Sequence, residues 1–142
     1  MRIITIKVVD VTEGQFSKKR FSKKRQSILA IIKSTKVHPS ADWVFEQIKK
    51  EYPSISLGTV YRNIDELVQS GQIRSLGVIN GKERFDGCIA EHSHAVCTKC
   101  GRVLDIEKLN VEINAVIPDF TPTYREVRIE GICGSCAKNR KS

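Results

Sequence analysis

Two pairs of cysteines with the spacing C-x-x-C constrain this chain more than any other feature of its sequence. Cys97 and Cys100 form the first pair, Cys133 and Cys136 form the second, and residues 101–132 separate them. Four thiolates suit a tetrahedral structural zinc site, which leaves no open position for chemistry. We therefore expect Zn²⁺ to hold the two ends of the intervening segment together. A redox dithiol pair is the alternative interpretation of the same spacing.

The length and hydropathy of the chain limit the classes of protein to which it can belong. A chain of 142 residues has room for one ordinary domain or two small ones, which excludes a large multidomain enzyme. No stretch approaches the ~20 apolar residues of a membrane-spanning helix. Lys7 and Asp10 interrupt any secretory apolar segment at the N-terminus. We expect a cytoplasmic protein, in which paired cysteines indicate a metal before disulfides.

The net charge of +8 is concentrated in the first part of the chain. Residues 1–86 carry 16 basic and 9 acidic side chains, whereas residues 87–142 carry 8 and 7. The segment 16–25, which contains the sequence FSKKR twice, supplies six of these basic residues. A basic first part indicates a polyanion such as nucleic acid as the partner. A solvated surface run is the alternative explanation of the same segment.

Three helical periodicities follow one another in the first half of the chain. Ser22 and Ser56 are good N-caps for the first and third helices. Pro39 or Ser40 fits the start of the second helix, and Gly71 fits a stop at the end of the third. The expected buried positions are Ile28, Ile31 and Ile32 in the first helix, Ala41, Val44, Phe45 and Ile48 in the second, and Val60, Ile64, Leu67 and Val68 in the third.

A strand-like alternation follows the third helix. The segments 73–79 and 83–86 flank Asn80-Gly81, which is a strong signal for a two-residue hairpin turn. Three helices followed by a hairpin predict a winged helix-turn-helix over residues 21–86, whose third helix enters the DNA major groove.

The remaining residues, 87–142, have a mixed pattern that is typical of a small α/β unit. A unit of this size needs a metal staple or a partner chain for its stability. We expect short strands near Ala95–Cys97 and Arg102–Ile106, a helix with Leu109, Ile113 and Val116 on one face, and a strand from Tyr124 to Ile132.

A second group of candidate ligands contains histidines and carboxylates. On a strand, His92 and His94 would point to the same side, and Asp86 and Asp105 lie just before and after them. Two imidazoles with two carboxylates form a mixed site that suits Fe(II), Mn(II) or Zn(II) rather than Cu(I). An isolated histidine such as His38 is, from composition alone, more often a cap or a surface residue.

Five motifs, taken in order, resemble the ferric uptake regulator (Fur) family. They are HPSAD at 38–42, ISLGTVYRNI at 55–64, RFD at 84–86, the long run EHSHAVCTKCGRVLD at 91–105, and GICGSC at 131–136. The resemblance implies a homodimeric, metal-dependent transcriptional repressor that binds a double-stranded DNA operator. It implies neither enzymatic activity nor membrane association.

The fold class implied by the resemblance is α+β. It consists of a winged-helix DNA-binding domain over 21–86 and a small α/β dimerisation and metal-binding domain over 87–142, stapled by zinc. Residues 1–20 form an N-terminal extension that departs from the family pattern.

The resemblance also implies a regulatory site for Fe²⁺ or Mn²⁺ with five ligands: His38, Asp86, His92, His94 and Asp105. A metal whose ligands come from two domains favours one interdomain geometry, by no more than its differential affinity.

Aspartate at both carboxylate positions is similar to the peroxide-responsive (PerR-like) branch of the family. The branch implies that iron reacts with hydrogen peroxide and oxidises a ligand histidine, His38 or His92, after which metal and DNA are released. The alternative is an iron, manganese or zinc uptake regulator that binds metal reversibly without peroxide chemistry.

The expected DNA contacts lie mainly on the third helix. Arginine reads guanine with two hydrogen bonds, and tyrosine packs on thymine methyls or touches phosphate. An exposed amphipathic helix face is the alternative interpretation. The candidate residues are Thr59, Tyr61, Arg62 and Asn63, with phosphate contacts from the basic run that ends at Arg25.

Two other classes of protein are weaker alternatives. A small zinc enzyme would use His92, His94 and a carboxylate on metal-bound water. The His-x-Glu and Pro-Cys-x-x-Cys elements of a zinc deaminase are both missing. A zinc-stapled protein-interaction module is the second alternative. The fifth cysteine, Cys88, has no assigned role and is expected to be a free, partly buried thiol.

Overall fold

The structure is a computed structural model that describes residues 22–110 and 116–139. The predicted N-terminal extension and the central part of the predicted helix between Leu109 and Val116 lie outside the described residues. In the part of the chain that is described, no helix has the length and hydropathy needed to cross a bilayer. The elements are α1 Lys23–Lys33, α2 Ala41–Ile48, α3 Leu57–Gln69, β1 Arg74–Ile79, β2 Lys82–Asp86, β3 Ser93–Cys97, β4 Val103–Ile106, β5 Arg128–Gly131 and α4 Gly134–Lys138.

The first three helices begin where the sequence predicts. Ser22, Ser40 and Ser56 are the N-caps of α1, α2 and α3, and the hydroxyl of each accepts the backbone N–H three residues later. A cap of this kind contributes about 1 kcal/mol to stability. Helix α3 ends before Gly71, whose φ of 71° lies in the left-handed region that favours glycine.

The three helices and strand β2 share one apolar core. Most positions expected on the inner faces are buried, whereas Ile31, Phe45 and Val68 are only partly buried at its edge. The strand contributes Phe85, which closes the core from the side of the hairpin. The buried members are Ile28, Ile32, Ala41, Val44, Ile48, Ile55, Val60, Ile64, Leu67, Ile73 and Phe85.

Strands β1 and β2 form the predicted antiparallel hairpin. Asn80 and Gly81 have φ values of 52° and 81°, which are the left-handed conformations of a type I′ turn. The register shifts between Ser75 and Val78, where Gly77 has a φ of 76°. The element order of three helices followed by a hairpin is the one that the sequence predicts.

A second sheet has the strand order β4-β3-β5. Strands β3 and β4 are antiparallel and place His94 opposite Asp105. Strands β3 and β5 are parallel, a pairing that the sequence did not predict. The predicted strand from Tyr124 to Ile132 was too long, since only Arg128–Gly131 pair with β3.

A small apolar cluster joins the hairpin to the second sheet. Leu76 and Ile79 of β1 pack with Val96 of β3 and Val103 of β4. The cluster holds the helical part (residues 22–86) against the sheet part (residues 87–139). The mixed α+β architecture is therefore as expected, and its two parts are in direct contact.

Candidate metal centres

Three histidine rings converge on the same two carboxylate oxygens. Nε2 of His38 lies 2.8 Å from Oδ1 of Asp105 and 3.6 Å from Oδ2 of Asp86. Nε2 of His92 lies 2.9 Å from Oδ2 of Asp86 and 3.2 Å from Oδ1 of Asp105. The corresponding distances for His94 are 3.0 Å and 3.4 Å. One ligand atom from each of the five residues lies within 4.8 Å of all the others.

The members of this His/Asp cluster come from both parts of the molecule. His38 lies in the loop between α1 and α2, and Asp86 ends β2. His92 directly precedes β3, His94 lies on β3, and Asp105 lies on β4. The structure thus brings together all five residues that were predicted as ligands of the regulatory metal.

Hydrogen bonds on the far sides of two rings identify the nitrogens that face the cluster. Nδ1 of His92 lies 2.8 Å from the carbonyl oxygen of Ala90, and Nδ1 of His94 lies 3.3 Å from Oε1 of Glu126. Carbonyl and carboxylate oxygens only accept, so the tautomer with its proton on Nδ1 satisfies these two contacts and leaves a lone pair on Nε2, where a metal can bind.

Lone pairs therefore point at lone pairs inside the cluster. This arrangement is repulsive unless a cation lies between the imidazole nitrogens and the carboxylate oxygens. Three neutral imidazoles and two carboxylates balance the charge of one divalent ion, and the mixed N/O donor set suits Fe(II), Mn(II) or Zn(II). The donor atoms fit a bound divalent metal.

The environment of the cluster keeps the Asp86 carboxylate ionised. Burial alone raises the pKa of Asp86, but hydrogen bonds from His38 and from the backbone N–H of Cys88 act against it, and the pKa lies well below its usual range. Burial likewise lowers the pKa of His38, but the hydrogen bonds and charges of Asp86 and Asp105 outweigh it, so the pKa of His38 is raised.

His38 reaches the cluster in an unusual backbone conformation. Its φ of 52° is left-handed, and the residue precedes Pro39, a position that normally favours extended backbone. Such a conformation costs about 1–3 kcal/mol and persists only where neighbouring contacts hold it.

Arg84 supplies contacts that hold the His38 loop. Its Nε donates to the carbonyl oxygen of His38, and its Nη2 donates to that of Val37 at 2.7 Å. Its Nη1 donates to the carbonyl oxygen of Gly101 at 3.0 Å. Because Gly101 directly follows Cys100, one guanidinium connects the His38 loop to the turn of the first cysteine pair.

The four paired cysteines form a second cluster. Cys97 ends β3, Cys100 lies in the following turn, Cys133 is the N-cap residue of α4, and Cys136 lies within α4. One sulfur from each lies within 4.8 Å of the others, and the Cys100 and Cys133 sulfurs are 3.8 Å apart. A tetrahedron with Zn–S bonds of about 2.3 Å has S···S edges of about 3.8 Å. The four sulfurs therefore fit a structural zinc ion.

Two cysteines of this Cys cluster have pKa values that are shifted in opposite directions. Hydrogen bonding with the Cys133 sulfur and burial raise the pKa of Cys136 to about 12. Hydrogen bonds from the backbone N–H groups of Cys133 and Cys100 lower the pKa of Cys97 to about 6. The thiolate is the form that ligates a metal.

Cys88 is a free thiol outside both clusters. The expectation that it is partly buried was wrong, because its side chain is exposed.

The sequence and the fold place this chain among known proteins. The profile of the ferric uptake regulator family matches residues 17–118. The chain belongs to this family. It is similar to the peroxide-responsive repressor PerR of Staphylococcus aureus, with 31% identity over 122 residues and 82% of each chain covered. It is 28% identical over 123 residues to the peroxide operon regulator of Bacillus subtilis, covering 84% of this chain and 85% of that protein.

A solved structure of a similar protein supports the fold. The crystal structure of the Campylobacter jejuni peroxide stress regulator has a TM-score of 0.61 and 32% sequence identity. The match covers 80% of this chain and 88% of that chain. The predicted family fold is therefore confirmed for this Fur-family protein.

The candidate DNA contacts of this Fur-family chain differ in their exposure. Tyr61 and Arg62 are exposed on α3. Thr59 is half-buried, and its hydroxyl lies 2.9 Å from that of the N-cap residue Ser56. Tyr61 and Arg62 are thus the two candidates on α3 whose side chains are most available to a partner.

Two other candidates make internal contacts. The side chain of Asn63 is buried and donates to the carbonyl oxygen of Thr59 at 2.8 Å. The guanidinium of Arg25 forms an ion pair with Glu66, which joins α1 to α3. These contacts stabilise the helical part around the exposed face of α3.

Two residues with contacts at the sites were not singled out from the sequence. Arg84 lies in the RFD motif, but nothing in the sequence indicates that its guanidinium spans three backbone carbonyls. Glu126 lies 32 residues after His94, outside every motif that carries the resemblance. Only the packing of β3 against β5 brings Glu126 to the ring of His94.

Proposed function

We propose that this chain is a metal-dependent transcriptional repressor that responds to hydrogen peroxide. The carrying observation is the convergence of three histidine Nε2 atoms on one pair of carboxylate oxygens contributed by both parts of the molecule. The similarity to peroxide-responsive regulators of Staphylococcus aureus and Campylobacter jejuni supports the peroxide signal.

His38, Asp86, His92, His94 and Asp105 would hold Fe²⁺ or Mn²⁺, and the Cys cluster would hold a structural Zn²⁺. Iron bound there would supply the reduction of peroxide to a local oxidant, whereas manganese would support the closed arrangement without this chemistry. Because His38 lies in the helical part and three ligands lie in the sheet part, a complete ligand set favours the arrangement seen here.

His92 and His38 are the proposed targets of oxidation. The side chain of His92 is 17% exposed, whereas those of His38 and His94 are 3% and 2% exposed. Among the three rings, His92 is thus the one most accessible to peroxide, on the side of the cluster that also exposes Asp105. Oxidation of either ring would weaken its binding to the metal. Loss of the metal would remove the link that His38 and Asp86 make between the helical part and the sheet part, leaving the apolar cluster and Arg84 as their contacts.

The helical part, with Tyr61 and Arg62 exposed on α3, is the proposed DNA-binding domain over residues 21–86. Residues 87–142 form the proposed dimerisation domain. Strand β5 is an edge strand of its sheet, and Ile129 and Ile132 are exposed beside that edge. A second copy that covers this edge would give a dimer able to bind two half-sites of a DNA operator.

Peptide-resolved mass analysis tests the proposal. Zinc-containing protein is loaded with Fe²⁺ without oxygen, treated with about one equivalent of hydrogen peroxide, and digested, with a Mn²⁺-loaded sample as the control. We expect one added oxygen on the peptide that contains His38 or His92, in the iron sample only. Unmodified histidines with iron bound would contradict peroxide sensing and leave a reversible metal-responsive regulator. Oxidation of the cysteines alone, with zinc loss, would place the sensor at the Cys cluster.

A further inference from the structure

The ring of His94 has a carboxylate on each of its two sides. Its Nε2 lies 3.0 Å from Oδ2 of Asp86, inside the cluster. Its Nδ1 lies 3.3 Å from Oε1 of Glu126, on the opposite edge of the ring. Since the side chain of His94 is almost fully buried, these polar partners and not water determine which nitrogen carries the proton.

Glu126 is itself held in place. Nη2 of Arg128, the first residue of β5, lies 3.4 Å from Oε1 of Glu126. The same Nη2 donates to the carbonyl oxygen of Leu76 in β1 at 2.7 Å. Glu126 is therefore fixed by a contact that also reaches the hairpin of the helical part.

The three histidines of the cluster differ in the partner of Nδ1, the ring nitrogen that faces away from the cluster. Nδ1 of His92 faces the neutral carbonyl oxygen of Ala90. Nδ1 of His38 is buried and has no hydrogen-bond partner among the described residues. His94 has a charged partner at Nδ1, which fixes the orientation of its ring and competes with Asp86 for the ring proton.

We propose that Glu126 is a positioning residue that makes His94 the anchoring ligand of the His/Asp cluster. The carboxylate of Glu126 accepts the Nδ1 proton of His94, holds the ring in one orientation and leaves Nε2 as the free lone pair. An acceptor behind a ligand histidine also raises the basicity of the ligating nitrogen. The effect on metal affinity rests on the proposed function, whereas the position of the proton does not.

The test compares Glu126→Ala and Glu126→Gln with the wild-type protein. Glu130→Gln is the matched control, because Glu130 is an exposed carboxylate on β5 and lies outside both clusters. Each protein keeps its zinc, has no metal at the His/Asp cluster, and is examined by two-bond ¹H–¹⁵N NMR of the imidazoles over a series of pH values.

We expect the Nδ1–H tautomer of His94 in the wild type and in Glu130→Gln. In Glu126→Ala the proton moves to Nε2, because Asp86 is then the acceptor that lies within hydrogen-bond distance of the ring. In Glu126→Gln the amide oxygen still accepts, so the Nδ1–H tautomer is retained. An Nε2–H tautomer in the wild type, or an unchanged tautomer in Glu126→Ala, overturns the proposal.

Titration with Mn²⁺ measures the consequence for binding. Loss of a partner behind a ligand typically costs about 10–100-fold in metal affinity. We expect at least about a tenfold loss in Glu126→Ala, a smaller loss in Glu126→Gln and none in Glu130→Gln. Equal affinities in all four proteins would overturn the anchoring role, even if DNA binding and peroxide sensing behave as proposed. Conversely, if peroxide does not oxidise the histidines but Glu126→Ala shows the tautomer change, the positioning role of Glu126 is supported. Only peroxide as the proposed signal is then contradicted.

Discussion

The two ligand clusters differ in what they connect. The Cys cluster is contained within the sheet part, where it joins the end of β3 to the segment after β5. The His/Asp cluster takes His38 and Asp86 from the helical part and its other three members from the sheet part. A metal in the first cluster therefore stabilises one unit, whereas a metal in the second selects the arrangement of two units.

The donor atoms of the two clusters also suit different roles. Four thiolates around zinc form a closed tetrahedral site that suits a permanent ion. A mixed set of nitrogen and oxygen donors would bind iron or manganese more exchangeably. The contrast explains how one small protein can keep one metal as a staple and use another as a signal.

Breaking the Cys cluster gives the largest expected effect. In Cys133→Ser, loss of zinc should unfold the sheet part, because structural zinc in small peptides contributes about 10–16 kcal/mol at neutral pH. Hydrogen exchange should show lost protection in β3 and β5, while α1 to α3 keep theirs through their own core. Cys88→Ser is the control and should retain both zinc and protection. If β3 keeps its protection from hydrogen exchange in zinc-free Cys133→Ser, zinc does not stabilise the sheet part.

Removing one carboxylate from the His/Asp cluster should leave the fold intact but abolish the signal. Asp86→Asn loses a charged oxygen that all three rings face, so Mn²⁺ affinity should fall by about 100-fold or more, or about 3 kcal/mol. Zinc content should be unchanged. Asp42→Asn, an exposed Asp paired with Lys82, is the control and should bind Mn²⁺ normally. Equal affinities in the two variants would show that Asp86 is not a ligand.

A substitution on α3 should separate DNA binding from both clusters. Arg62→Ala removes an exposed guanidinium, and such a contact is worth about 1–3 kcal/mol at a base edge. DNA affinity should fall by roughly 5–150-fold, while Mn²⁺ and Zn²⁺ binding are unchanged. Fluorescence anisotropy with operator DNA measures the loss, and Arg102→Ala, an exposed arginine of the sheet part, is the control. If Arg62→Ala binds DNA with wild-type affinity, the DNA contact does not involve Arg62 on α3.

Cutting the connection between the clusters should have a moderate effect. Arg84→Lys keeps the charge, but one ammonium cannot replace a guanidinium that donates to His38, Val37 and Gly101. The His38 loop should relax from its left-handed conformation, and Mn²⁺ affinity should fall by about tenfold, corresponding to about 1.4 kcal/mol. Calorimetry with zinc-loaded protein measures this change. If Arg84→Lys binds Mn²⁺ with wild-type affinity, the conformation of the His38 loop does not depend on the Arg84 guanidinium.

The smallest expected effect is a pH dependence of metal binding that differs between the two clusters. The pKa of His38 is raised, so its protonated form stabilises the metal-free fold fully below about 6.5, and this contribution is lost as the pH rises through the raised pKa. A metal must displace that proton, so Mn²⁺ affinity should rise with pH around neutrality, by at most about tenfold per unit for one proton.

Asp105→Asn removes one cause of the raised pKa of His38 and should move this pH dependence to lower pH. Zinc retention should change less around neutrality, because a closed site of four thiolates holds Zn²⁺ tightly. Parallel pH profiles for Mn²⁺ binding and zinc retention would contradict this distinction. Metal-buffered titrations across the neutral range measure both.

Local signals predicted the elements of this fold well. The N-caps Ser22, Ser40 and Ser56 and the turn Asn80-Gly81 act within three or four residues of chain, so their effect does not depend on distant packing. The strand that begins at Arg128 was overestimated in length because alternation continues beyond the residues that pair with β3. Alternation indicates a strand, but a neighbouring strand decides where pairing stops.

The sequence by itself determined which residues could bind metal, since side-chain chemistry and the C-x-x-C spacing are local properties. Only the tertiary structure decided which atoms of those residues face one another. The Nδ1 of His94 meets Glu126 because β3 and β5 are parallel, and Arg84 reaches Gly101 because the hairpin packs on the second sheet. These contacts join residues far apart in the chain, and apolar burial between elements, not any local pattern, sets their distances.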